Sequence, residues 1–105
     1  MKIIYLSSLR ISGIALWPFI FIKREFKSDP VLLNHERIHI RQQKELLLIF
    51  FYFFYFTHYL INLILYRNHK IAYRNIIFER EAYASEKDLV YLSKRKIFNF
   101  MKFIK

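Results

Sequence analysis

The alternation of apolar and polar positions divides the chain into distinct stretches. Residues 2–23, "KIIYLSSLRISGIALWPFIFIK", are apolar with few charges. Arg10 interrupts the run and bulky Trp17-Pro18-Phe19 follows, a pattern unlike a cleaved secretory signal. The Ile, Tyr, Trp and Phe content predicts short strands over Lys2–Leu6 and Ile14–Lys23, turning near Ser12-Gly13. Pro18 confines the second strand to a sheet edge or a bulge. A strand edge beside an active-site helix can take up an extended peptide by strand addition. The other reading of this segment is a hydrophobic anchor or plain core.

A polar turn, "KREFKSDP", then gives a helix start, with Asp29 to cap free N–H groups and Pro30 in the first turn. Residues 46–66, "LLLIFFYFFYFTHYLINLILY", carry no formal charge with His58 neutral, and 21 residues is long enough to cross a bilayer. Thr57, His58 and Asn62 are polar interruptions in it. After "RNHK", the segment "IAYRNIIFEREAYASEKDLVYL" reads as a further helix. The end, "SKRKIFNFMKFIK", is either an interfacial amphipathic segment or a solvated helix end. No Gly or Pro punctuates the chain from Val31 to Lys105. The expectation is a mostly α-helical domain over residues 1–105 with a short N-terminal β element.

With no cysteine, a metal site here must use His and carboxylate ligands. The net charge of +10 favours an anionic partner, phospholipid headgroups or nucleic acid. The aromatic content is dominated by clustered Phe, which suits core or lipid contact better than base stacking, so no nucleic-acid partner is favoured.

The candidate chemistry sits in "LLNHERIHIRQQKE", residues 32–45. Four residues turn an α-helix through about 400°, so His35 and His39 share one face, and two imidazoles there can bind one Zn²⁺. Glu36 can then serve as general base towards an activated water. The bland alternative is an amphipathic helix with all three side chains in solvent. Catalytic zinc needs a third protein ligand, and "FEREAY" supplies Glu79 within a helical stretch. Glu81 is the rival, about 200° round the helix, and is expected to pair with Arg or Lys at the surface.

His35-Glu36-Arg37-Ile38-His39 with a glutamate on a second helix resembles the gluzincin metallopeptidases. Glu79-Arg80-Glu81-Ala82 is similar to the Glu-x-x-Ala-Asp segment of the CAAX prenyl and HtpX-type membrane proteases, with Tyr83 where Asp stands. Gln42-Gln43 and the chain length resemble small gluzincin-like domains and minigluzincins. The resemblance implies a zinc-dependent peptidase acting on a peptide or protein, with His35, His39 and Glu79 as ligands and Glu36 as base. Tyr83 would orient a ligand histidine or stabilise an oxyanion. The implied location is a membrane, the bacterial inner membrane or its cytoplasmic face. His58, His69 and Tyr73 are weaker candidates for transition-state contacts, since no spacing ties them to the motif.

The zinc reading constrains the path of the chain. One straight helix over residues 31–66 would leave Tyr66 about 40 Å from His39, a distance the 13 residues to Glu79 could cover only fully extended and not with Glu79 inside a helix. The apolar stretch is therefore expected to form a helical hairpin between the two motif helices, bending between about Phe51 and Thr57. It would be buried in protein or dip into one leaflet. The competing class is a small non-enzymatic basic membrane or interaction protein whose motif is accidental or degenerate.

Overall fold

The computed structural model describes residues 2–104. Strands β1 (Lys2–Leu6), β2 (Gly13–Leu16) and β3 (Phe19–Lys23) form one sheet in the order β1-β3-β2. The central β3 runs parallel to β1 and antiparallel to β2. The expected second strand is thus two strands, split at Trp17-Pro18. Pro18 has no N–H to give a ladder, and it occupies the turn instead of a bulge. This makes β2 an edge strand.

Helix α1 (Pro30–Glu45) starts as its sequence dictates, with Asp29 Oδ1 accepting from Val31 N–H and Leu32 N–H at 3.0 and 3.1 Å. Its Ile40, Leu32 and Leu33 close over Ala15, Ile20 and Ile22 of the sheet to make one core. A second core gathers Phe51, Ile76, Ile77, Phe78 and Phe100 from the later elements.

The chain changes direction at Leu46–Leu48, where Leu47 and Leu48 take φ of 54° and 62°. Residues Ile49–Tyr66 then form one unbroken helix, α2, so the bend expected between Phe51 and Thr57 is absent. The helical hairpin comes one helix later. Arg67 adopts left-handed geometry (φ 52°), Asn68 caps Ile71 N–H, and α3 (His69–Arg74) returns along α2. Next come α4 (Ile77–Ser85), α5 (Tyr91–Lys94) and a 3-10 turn, Asn99–Phe103.

The polar interruptions of the apolar stretch pin α2 to its neighbours. Asn62 Nδ2 donates to Ala72 O at 3.1 Å, and His58 Nδ1 accepts from Ile77 N–H at 3.0 Å. The second bond satisfies a free donor at the start of α4. His58 is therefore a structural cap. These bonds set the level of α3 and α4 against α2, and α1 is tied to α4 beside Glu79 by Gln42 Nε2 donating to Phe78 O at 3.1 Å.

Candidate metal centre

His35 and His39 lie one turn apart on α1 and face Glu79 in the first turn of α4. Three atoms converge. His35 Nε2 and His39 Nε2 are 3.2 Å apart, and each is 3.1 Å from Glu79 Oε1. All three residues are buried. Tetrahedral ligands at zinc-like bond lengths stand about 3.3–3.4 Å apart, within a few tenths of the separations here. This group has the composition and spacing to hold a metal ion.

The outer contacts decide which nitrogens carry protons. His35 Nδ1 faces Glu86 Oε1 at 2.7 Å, an acceptor only, so it donates. His39 Nδ1 lies 2.8 Å from Gln42 Oε1. The Gln42 amide is fixed in that sense because its Nε2 donates to Phe78 O and Glu81 Oε1, at 3.1 and 2.9 Å. Both rings thus hold their Nδ1 hydrogens outward, and in neutral form both Nε2 lone pairs point at Glu79 Oε1. Three acceptors facing one another repel unless a cation or a proton lies among them.

Without a metal, His39 takes up that proton. Burial alone would lower its pKa, but the Glu79 charge and hydrogen bond outweigh it and raise the value to about 9. Burial likewise opposes ionisation of Glu79, yet His39, His35 and Tyr55 together hold its carboxyl well below the usual range. Tyr55 of α2 donates to Glu79 Oε2 at 2.6 Å, which leaves Oε1 alone facing the histidines.

Glu36 is buried beside this group and lines a cleft of about 810 Å³ together with His35, His39, Glu79, Tyr55 and Tyr83. Burial raises the Glu36 pKa above its ordinary value, against the lowering influence of His39 and His35. The opposite wall is β2. A side chain at Gly13 would put its Cβ 3.3 Å from Glu36 Oε2 and 3.2 Å from Phe21 O, so glycine lets the strand run against the carboxylate.

In the β2–β3 register, Ile14 and Leu16 turn their backbone groups to β3, which leaves those of Gly13 and Ala15 facing outward. Gln43, one turn beyond His39, occupies part of that edge. Its Nε2 donates to Ala15 O at 2.7 Å, and its Oε1 accepts from Trp17 N–H at 2.8 Å. These are the two bonds an added peptide group would make there.

Several expectations need correction. The hydrogen-bond partner of His35 is Glu86, not Tyr83. Tyr83 sets its ring edge-on to His35, centroids 4.6 Å apart, beneath the Arg74 guanidinium at 3.8 Å. Glu81 is not at the surface: it is fully buried, with Arg95 bridging it and Glu45. Through Gln42 it braces His39 from behind and does not face the three converging atoms. His69 and Tyr73 both line the cleft, and His69 Nδ1 bonds Tyr59 OH at 2.7 Å at an exposed position.

Glu86, Gln42, Tyr55 and Gly13 were not assigned site roles from sequence. The Nδ1 partners carried a faint signal, since Gln42 is three residues beyond His39 and Glu86 seven beyond Glu79. Comparison of the chain with protein-family models, curated proteins and solved structures finds no match to any of them. The likeness to gluzincins therefore rests on the motif residues alone.

Proposed function

We propose that the protein is a zinc-dependent peptidase that hydrolyses peptide bonds, with His35, His39 and Glu79 as the metal ligands and Glu36 as the general base. The observation that carries this reading is the convergence of three acceptor atoms, with the outward Nδ1 hydrogens of the two histidines already committed to Glu86 and Gln42. A divalent cation satisfies all three together, and His₂Glu with an open position is a known catalytic zinc set. The absence of cysteine favours a borderline ion with N and O ligands.

When bound, zinc would supply Lewis-acid polarisation of the scissile carbonyl and acidify a neighbouring water. The chain's own groups do the rest. Glu36, its pKa raised by burial, takes the proton from the attacking water and returns it to the leaving nitrogen. Gly13 N–H and C=O and Ala15 N–H offer outward bonds to an extended peptide, and Gln43 closes the edge beyond them. Tyr83, in the cleft wall beside His35, is the donor available to a developing oxyanion.

The test is hydrolysis of a fluorogenic peptide library by zinc-loaded protein against Glu36→Gln. The expected result is turnover by the native chain and a loss of at least about 100-fold in the variant, with zinc retained. Zinc binding without turnover by the native protein would instead favour a non-enzymatic metal-binding role.

A further inference from the structure

Among the described residues, the outer face of α2 has neither a partner in the fold nor a polar row. Taking about 100° per residue, Phe51, Tyr55, His58 and Asn62 form the row that meets α3 and α4. Ile49, Phe53, Phe56, Leu60 and Ile64 lie about 140–220° from Phe51, and they are 42–75% exposed. A helix facing water carries polar residues on that side. A continuous apolar row of this length marks an interaction surface.

Two features say what covers it. The first is charge. From Leu46 to Phe78 there is no Asp or Glu, while exposed Lys44, Arg67, Lys70 and Arg74 stand around the ends of α2 and on α3. A second copy of a chain of net charge +10 would bring these cations against their own kind. An anionic surface neutralises them.

The second feature is a row of tyrosines. Tyr52, Tyr59 and Tyr66 fall about 60–100° from Phe51, along one flank of α2 from end to end. Tyrosine favours the boundary between lipid and water, and in a helix that crosses a bilayer such residues gather at the two ends. Here they recur every seven residues along the whole length, so the boundary runs parallel to the helix axis. Crossing is also opposed by the inner row. Asn62 is bonded to α3 and His58 to α4, so a crossing α2 would carry Lys70 and Arg74 into hydrocarbon.

We propose that α2 is an in-plane anchor that lies flat on an anionic phospholipid bilayer. Its Phe53–Leu60 face sinks into the acyl boundary and its flanking lysines and arginines meet the headgroups. This surface is separate from the metal centre, and it holds whether or not the chain is a peptidase.

Flotation of the full chain with vesicles tests it. Phosphatidylglycerol vesicles should bind the protein at least about tenfold more tightly than phosphatidylcholine vesicles, less so at high salt. The double variant F53E/L60E, with unchanged circular dichroism, should lose at least about tenfold of that binding. The control L89E/V90E, at exposed apolar positions outside α2, should keep it. Because the chain has no cysteine, K44C and K70C can each be probed with an impermeant maleimide on bound vesicles, and both should react from outside. Protection of either position, equal binding by F53E/L60E, or no vesicle binding would overturn the proposal. So would self-association that F53E/L60E abolishes, which would make the face a contact between copies.

Discussion

Glu86 Oε1 lies 2.7 Å from His35 Nδ1, so a carboxylate seven residues beyond Glu79 fixes the tautomer of a candidate ligand. Asn34 holds it there, its Nδ2 donating to Glu86 O at 2.8 Å and to Asp88 O at 3.0 Å at the end of α4. A carboxylate in this position strengthens the imidazole as a donor to metal. Glu86→Ala is expected to weaken zinc binding by about 10–100-fold with the fold intact. Isothermal titration with zinc checks this, and unchanged affinity would remove Glu86 from the site.

Glu79 and Glu81, two residues apart, separate a ligand from a brace. Glu79→Gln should lose at least about tenfold in zinc affinity, because two histidines alone hold zinc poorly at neutral pH. Glu81→Gln should leave affinity within a few-fold, since Gln42 still faces His39. If Glu81→Gln alone abolished binding, the assignment would be reversed.

Arg95 carries the buried ion network, with its side chain at 0% exposure between Glu81 and Glu45. Arg95→Met leaves two buried carboxylates without a cation. The expected loss is about 3–5 kcal/mol of stability, read by urea denaturation. A loss below about 1 kcal/mol would mean the network is relieved by water.

The metal-free protein should have a distinctive pH dependence. His39 has a folded pKa of about 9, above its ordinary 6.5. Its contribution is therefore fully present below pH 6.5 and is lost as pH rises through 9. Glu79, held low, contributes above its ordinary value and loses that contribution as pH falls below it. Thermal melts without metal should fall between pH 6.5 and 9.5. Saturating zinc should abolish this fall, because the ion replaces the shared proton. An identical slope with and without zinc would show that the ion binds elsewhere.

Leu47 is 73% exposed at φ 54°, a conformation that costs an L-residue about 1 kcal/mol. Leu47→Gly should therefore raise stability by up to about 1 kcal/mol. A lower melting temperature would mean that its side chain contributes more than its backbone costs.

Much of this architecture was legible in the sequence, and the misses have physical causes. Asp29-Pro30 fixed the start of α1, and the four-residue spacing put His35 and His39 on one face. The chain does reverse before Glu79, as the hairpin expectation has it, but at Arg67 and not between Phe51 and Thr57. Leu46-Leu47-Leu48 has no Gly or Pro, and its positive-φ residues are held by backbone bonds back to α1, Leu48 N–H to Gln43 O at 2.8 Å and Leu47 N–H to Lys44 O at 3.3 Å, which side-chain propensity does not report. His58 and Asn62 looked like flaws in a span, yet they are the bonds that register α2 against its neighbours. Glu86 showed only as a position on the Glu79 face of one helix, while the buried Glu81–Arg95 pair joins separate elements, for which one sequence gives no spacing rule.

Metal analysis of purified protein dialysed against buffered zinc tests the central claim most directly. The account predicts one zinc per native chain, one in Glu36→Gln, and little or none in His35→Ala and His39→Ala. Equal zinc in the native protein and both histidine variants would contradict it.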